Sequence, residues 1–407
     1  MNKFFLKGKA VVAQSGGCTA VINQSLAGIV EAARKANAIT GILGSRHGIE
    51  GILNHSFVDL RTKSKSLMQQ IANSPSAALG SSRFKLKARD ERRVIESLRK
   101  NNIRYVFLIG GNDTANTSLR IARAAEEENY ALNIIHIPKT IDNDLMETDH
   151  CPGYGSVARF AAITTQEAAL DTKAMQGVDP VKIIELMGRN SGWIVAASAL
   201  LKKSAKDAPH ILLIPEVPFS EAVFVKQVRQ TLAHVGYCII VISETIRNAA
   251  GNRIGSKTEG VTADPFGHKY VEGASARLAS IIEKELKVRA RFDKPGTIQR
   301  MSMPYISETD QREAFQAGVH AVKWTLAGKS KVMVGFRRNP KKVTVTKSDC
   351  HHAYGIEYVP VPLEKIPNRE RYLPEGFFDK KKAMITPAFT KYALPLIGSN
   401  LPSLVSF

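Results

Sequence analysis

Cysteine is scarce in this chain. The four residues, Cys18, Cys151, Cys238 and Cys350, lie far apart with no C-x-x-C pair, which argues against a disulfide framework and against a zinc site. Long hydrophobic runs are missing too: no uninterrupted apolar stretch approaches the roughly 18 residues a membrane-spanning helix needs. Met1 to Ala10 interleaves three lysines with a short apolar group. The expectation is a soluble protein of the reducing cytoplasm, with no membrane partner. Aromatic residues make up only 7% of the chain and are not interleaved with its basic runs, whereas single-stranded nucleic acid binding needs stacking rings along a basic groove. No internal repeat of about 20 to 50 residues stands out.

What the chain has in excess is positive charge. Against 37 acidic residues stand 57 basic ones, a formal net charge of +20. Such a balance fits either a nucleic-acid surface or a preference for polyanionic small molecules. The basic residues are scattered, and the densest runs (Arg89 to Arg93, Lys341-Lys342 and Lys380 to Lys382) are short. We therefore read a solvated basic surface that also attracts phosphorylated ligands, with nucleic acid disfavoured as a partner. At 407 residues there is room for two domains of ordinary size.

Apolar runs of five to seven residues alternate with amphipathic segments almost throughout, the pattern of βαβ units and a parallel sheet. The chain is expected to be α/β. A strand over Lys9 to Gln14 leads through Ser15-Gly16-Gly17 into a helix from about Ala20 to Lys35. In such a turn Gly16 and Gly17 leave backbone N–H groups able to cradle an anion at the helix N-terminus, although tight turns need glycine for steric reasons as well. Residues 61–102 read as a polar loop, the segment Ala78 to Arg83 and a mixed-charge helix. Arg83, on its glycine-serine loop, suits bidentate phosphate binding, and equally suits plain solvation. Tyr105 to Ile109 is a strand ending in Gly110-Gly111-Asn112-Asp113-Thr114, where Asn112 or Asp113 also fits a helix cap. Later strands end similarly, at Met187-Gly188-Arg189, at Pro215-Glu216 and at Ser243-Glu244. Polar strand ends that recur along the chain place a cluster at one sheet edge, where open α/β sheets bind ligands. Thr297 to Arg300, a helix over Gln311 to Leu326 and a strand over Lys331 to Phe336 continue the pattern. The last 65 or so residues read as an irregular tail packed on the body.

Pro138-Lys139-Thr140-Ile141-Asp142-Asn143-Asp144 follows the apolar run Leu132 to Ile137, a strand buried on both faces by its composition. Two carboxylates at period two and a lysine three residues before the first suit a site that deprotonates a hydroxyl and handles phosphate charge together. The other reading is a polar loop, with Asp142 and Asn143 as turn formers.

With Gly110 to Thr114, Pro138 to Asp144 and Met187 to Arg189 in this order and spacing, the chain resembles the 6-phosphofructokinases from about Lys9 to Arg338. The resemblance implies two Rossmann-like three-layer domains with the active site in the cleft between them. The expected larger, donor-binding domain spans 1–150 plus about 300–340. The smaller, sugar-phosphate-binding domain spans 151–299 plus part of 341–407. It further implies magnesium, fructose 6-phosphate as acceptor, and a homodimer or homotetramer. Residue by residue, Asp142 matches the family's general base, and Asp144 its partner in orienting the site or holding metal. Thr140 matches a contact to the transferring phosphoryl group. Arg189, Met187 and Gly188 match the Met-Gly-Arg contact to the sugar or the transferring group. Glu244 matches an acceptor for sugar hydroxyls, and Arg291 with Arg300 match the sugar 6-phosphate clamp. Two guanidinium groups suit a phosphate monoester.

Asp113 and Lys139 speak to the phosphoryl donor. ATP-using members carry glycines there, and pyrophosphate-using members an aspartate and a lysine. A carboxylate in the space of a nucleotide's α-phosphate, about 4 Å away, repels it by roughly 4 kcal/mol at an effective dielectric near 20, a discrimination of about a thousandfold. The implied donor is pyrophosphate, held also by Gly16, Gly17, Arg83, Gly111, Asn112 and Thr140, with Lys139 supplying charge. Asn112 departs from the family's aspartate, and an amide is the weaker ligand for a hard cation. The expected magnesium ligands are Asn112, Asp113 and Asp144, with the ion held mainly by pyrophosphate, water and Asp142 or Asp144. Thr297 stands where a histidine or tyrosine usually contacts the sugar phosphate, and Pro180 sits near the place of an absent cross-subunit arginine, for which Lys182 is the expected substitute. These departures leave another acceptor open, such as sedoheptulose 7-phosphate. The rival readings are an ATP-dependent kinase of the same fold and a non-catalytic phosphate- or nucleic-acid-binding protein.

Overall fold

The structure, a computed structural model, describes residues 6–255, 273–343 and 354–405. Cys350 and the end of the polar loop expected after Asn248 lie outside them. The strands in chain order are β1 (Gly8–Gln14), β2 (Ile39–Ser45), β3 (Phe57–Asp59), β4 (Ile103–Gly110), β5 (Asn133–Pro138), β6 (Val181–Leu186), β7 (Ile211–Leu213), β8 (Cys238–Ser243), β9 (Ala290–Asp293), β10 (Val332–Val343) and β11 (Gly355–Pro362). Two compact units emerge. One comprises Met1–Gly153, Glu308–Lys347 and Ala353–Glu370, the other Tyr154–Ser307, Ser348–His352 and Arg371–Phe407. No helix among the described residues is long and apolar enough to cross a membrane.

The first unit is built on a seven-stranded sheet of order β11-β10-β5-β4-β1-β2-β3. Its five inner strands are parallel, and β3 and β11 run antiparallel at the two edges. Because side chains alternate across a strand, β1 feeds two cores. Ala10 and Val12 join Leu26, Ile29, Ala317 and Ala321 in one cluster, and Val11 and Ala13 join Val94, Leu98 and Ile121 in another. Helices on both faces explain why these strands are apolar without alternation. The helices Ile22–Arg34 and Glu308–Leu326 pack at close range: a Cβ on Gly28 would lie 2.1 Å from the Phe315 carbonyl oxygen, and one on Gly318 would lie 2.3 Å from that of Ser25.

The second unit holds a four-stranded parallel sheet of order β7-β8-β6-β9. The helices Tyr154–Ala174, Glu221–Val235 and Ala274–Leu286 belong to it. In the same unit Trp193 is surrounded by Phe377, Phe389 and Tyr392, with ring centroids 6.0, 6.4 and 5.4 Å away.

Two expectations need correction. The last 65 or so residues, expected to be irregular, contribute β11, paired with β10 from Val332↔Pro362 to Val343↔Gly355, and the helix Pro387–Ala393. Pro360 and Pro362 masked the strand signal; they are tolerated because β11 is an edge. Within the expected loop after residue 61 lies a helix, Lys65–Ala72, whose N-cap Ser64 accepts from the Leu67 N–H. Thr297 to Arg300, which continue the α/β pattern in sequence, form part of a 3-10 turn, Gly296–Arg300, that follows β9.

Candidate active site

In the first unit the C-terminal ends of β1, β4 and β5 lie side by side, so their loops converge. Gly16 donates to the Ser82 carbonyl at 3.0 Å, and the Ser81 hydroxyl donates to the Gly16 carbonyl at 2.5 Å. The segment carrying Arg83 is thereby stitched to the first glycine turn. Ser15 and Thr114 share a hydroxyl hydrogen bond of 2.8 Å, joining the first turn to the second.

Lys139 completes the convergence. Its backbone N–H donates to Gly110 at 2.9 Å, and its ammonium, almost fully buried, donates to the Gly17 carbonyl at 2.6 Å. Gly16 has φ 77°, a left-handed conformation that favours glycine, and a side chain there would begin 3.2 Å from that ammonium.

The helix Asn112–Glu127 begins after Gly111, which caps it without a side-chain hydrogen bond. Neither Asn112 nor Asp113 is the cap that sequence alone allowed. The Asn112 amide instead donates to the Arg369 carbonyl at 2.5 Å, and its Oδ1 is buried with no hydrogen-bond partner among the described residues. Asp113 is exposed in the first helical turn. An orphaned amide oxygen is a fitting ligand for a hard cation. No group of three His, Cys, Asp or Glu side chains among the described residues forms a metal cage.

The aspartate loop is held from behind. Asn143 has φ 55°, a left-handed conformation that asparagine tolerates, and its buried Oδ1 accepts from the Cys151 N–H at 3.0 Å. Thr140 bonds to Pro152 through its N–H at 3.2 Å, and its hydroxyl accepts from the Asp142 N–H at 3.1 Å. Asp142 and Asp144, on either side of Asn143, are both half-buried.

In the second unit Met187, Gly188 and Arg189 follow β6, and Glu244 follows β8, its N–H bonded to the Leu186 carbonyl at 3.1 Å. Arg189 is exposed with φ 37°, after Gly188 at φ 144°. Such backbone strain at a non-glycine residue is concentrated at functional sites. Burial pushes the Glu244 carboxyl above its usual range, opposed by a hydrogen bond from the Arg189 backbone. Arg291, on β9, is paired with Asp179 through Nε at 2.6 Å, and Arg300 ends the 3-10 turn. Lys182 is bound within the unit, 3.1 Å from Asp293 and 3.8 Å from Asp171.

Three supporting residues were not identified from sequence. Gln299 accepts from the Met187 N–H at 3.1 Å, Glu216 accepts from the N–H groups of Gly192 and Leu373 at 2.9 Å each, and Arg369 meets Asn112. The strand-end position of Glu216 was the one available signal. For Gln299 and Arg369 there was none.

A family model described as phosphofructokinase matches residues 9–325. The pyrophosphate–fructose 6-phosphate 1-phosphotransferase of Xanthomonas campestris pv. campestris is 38% identical over 401 residues, covering 97% of this chain and 93% of that protein. The protein of the same name from Rhodospirillum rubrum is 37% identical, with 97% and 96% covered. The crystal structure of a pyrophosphate-dependent phosphofructokinase from Nitrosospira multiformis aligns with a TM-score of 0.87 at 32% identity, covering 98% of this chain and 94% of that one. With two glycine turns, the Pro-Lys-Thr-Ile-Asp-Asn-Asp loop and the Met-Gly-Arg turn all at strand ends, and with a match over most of its length, this chain belongs to the phosphofructokinase family.

Proposed function

We propose that this chain transfers a phosphoryl group from pyrophosphate to the 1-hydroxyl of fructose 6-phosphate, reversibly, with Asp142 as general base. One observation carries the choice of donor: Lys139 buries its ammonium against the first glycine turn while Asp113 stands exposed at the second. A cation fixed there favours a compact dianion-rich donor, and the Asp113 carboxylate opposes a nucleotide's additional phosphate. The enzyme relatives named above support the same donor and acceptor.

The first unit is the donor side. N–H groups of Gly16, Gly17 and Gly111, with Arg83 and Lys139, bind pyrophosphate, and Thr140 contacts the phosphoryl group in flight. Asp142 accepts the sugar hydroxyl's proton as the oxygen attacks phosphorus and the bridging P–O bond breaks, releasing orthophosphate; the proton transfer contributes about 10² to 10⁴ in rate. Asp144 orients that reaction. The second unit is the sugar side: Met187 and Gly188 line the sugar, Arg189 steadies the transferring group, Glu244 accepts from sugar hydroxyls, and Arg291 with Arg300 binds the 6-phosphate.

Magnesium, when bound, neutralises charge on the pyrophosphate oxygens. The Oδ1 of Asn112 fits it, with Asp113 and Asp144 as further oxygen ligands, and the absence of an acidic cage among the described residues leaves pyrophosphate as the main carrier of the ion. The assembly proposed is a homodimer or homotetramer.

Thr297, in place of an aromatic or imidazole contact, favours testing a longer sugar phosphate as well. The deciding experiment is a matrix of pyrophosphate and ATP against fructose 6-phosphate and sedoheptulose 7-phosphate. Turnover with ATP but not pyrophosphate would refute the proposed donor.

A further inference from the structure

Directly after the aspartate loop, in the first unit, a histidine is buried between two carboxylates. His150 Nδ1 is 2.8 Å from Asp149 Oδ1, and Nε2 is 2.6 Å from Glu313 Oε2. Both flanks are held in turn. Arg338 Nε donates to the two Asp149 oxygens at 3.0 Å each, and the Tyr354 hydroxyl donates to Glu313 Oε1 at 2.7 Å. Phe336 packs edge-on against the imidazole, ring centroids 5.1 Å apart. Each ring nitrogen thus faces a carboxylate oxygen, and an imidazole that donates from both nitrogens is the imidazolium. Burial pushes the His150 pKa down, but Glu313 and Asp149 outweigh it and hold it up at about 9.

The backbone on either side of His150 forms a clamp. On one side the Asp149 N–H donates to the Phe336 carbonyl at 2.8 Å, and Thr148 accepts from the Phe336 N–H at 2.9 Å while donating to the His150 carbonyl at 2.9 Å. On the other side Cys151 and Pro152 grip Asn143 and Thr140, as described above, and the Gly153 N–H is anchored on Asp310 at 2.9 Å. Residues 148–153 thus fasten the loop carrying Asp142 to β10 and to the helix Glu308–Leu326.

We propose that His150, as an imidazolium bridging Asp149 and Glu313, is a positioning residue for Asp142, and that its deprotonation loosens the clamp and slows turnover at alkaline pH. The proposal rests on the reading of Asp142 as the base. Of the charged groups around this cluster, the Arg338 guanidinium of β10 lies on Asp149, and that of Arg312 acts on Tyr358. Burial pushes the phenols of Tyr354 and Tyr358 upward, so they stay neutral. His150 is the member whose charge changes on the alkaline side of neutrality.

The test is kcat and KM against pH from about 6 to 10 for the wild type, His150→Gln, Glu313→Gln and Tyr354→Phe, using whichever donor the wild type turns over. The wild type should lose kcat above about pH 9. Glu313→Gln, which removes one of the two flanking charges, should bring that limb down by about one unit or more. His150→Gln should abolish the limb and lower kcat at neutral pH by an order approaching 10²-fold, with KM little changed, as expected for a misplaced base. A folded His150→Gln protein with wild-type kcat overturns the proposal, as does an alkaline limb that Glu313→Gln leaves in place. Where His150→Gln fails to fold, the limbs of Glu313→Gln and Tyr354→Phe decide alone: displaced supports the proposal, coincident with wild type overturns it. Asp142→Asn runs alongside, because full activity there refutes the base assignment and not the clamp.

Discussion

The Lys139 ammonium donates to the Gly17 carbonyl at 2.6 Å, across 122 residues of chain, while the same residue's N–H bonds to Gly110. One residue therefore ties three loops together. Hydrogen bonds involving a charged partner contribute about 1.5 to 3 kcal/mol. Lys139→Met keeps the length and removes the charge, so KM for pyrophosphate should rise about 10- to 100-fold. An unchanged KM would show that the ammonium serves only to hold the loops.

Asp113→Gly removes the exposed carboxylate at the second glycine turn without disturbing a cap, since Gly111 is the cap. Activity with ATP should appear or rise, by up to about a thousandfold if the whole repulsion is relieved. ATP use that stays undetectable, with or without Lys139→Gly, would mean that charge at these positions does not set the donor.

Asp142→Ala should depress kcat by about 10² to 10⁴ with little effect on KM, because the proton transfer belongs to the transition state. Chelation by EDTA should abolish turnover in the wild type, and added magnesium should restore it; activity that survives chelation would remove the metal from the scheme.

Two histidines give stability opposite dependences on pH. Burial lowers the His136 pKa to about 3, so the unfolded chain takes up this proton first and stability falls as pH drops below about 6.5. His150, held up at about 9, stabilises fully below its unfolded value of about 6.5, and that contribution disappears as pH rises through 9. Urea midpoints measured across pH 5 to 10 should decline at both ends, on the order of a kcal/mol or more per histidine. The alkaline decline should be missing in His150→Gln, and its persistence there would locate the titrating group elsewhere.

Gly28→Ala places a methyl 2.1 Å from the Phe315 carbonyl oxygen. The two helices must separate, costing about 1 to 3 kcal/mol in thermal or urea unfolding. A variant as stable as the wild type would show that the helix pair shifts easily.

The alternation of strands and helices is legible in the residues alone, because a strand covered on both faces must be apolar and the turn after it must bend tightly. Gly16-Gly17, Gly110-Gly111 and Gly188 are therefore legible where they stand, and so are the polar strand ends carrying Asp142, Arg189 and Glu244. The remaining features depend on long-range packing. Nothing local marks Gly355–Pro362 as a strand: its prolines read as a break until an edge position makes the missing N–H groups harmless. Periodicity gives no sign that Lys139 reaches Gly17, that Asn112 bonds to Arg369, or that Glu313, 163 residues beyond His150, supplies its second carboxylate. Those contacts join groups whose own segments satisfy their local rules without them. Only folding decides which partners stand within hydrogen-bonding distance, and with them the charge state of a buried histidine.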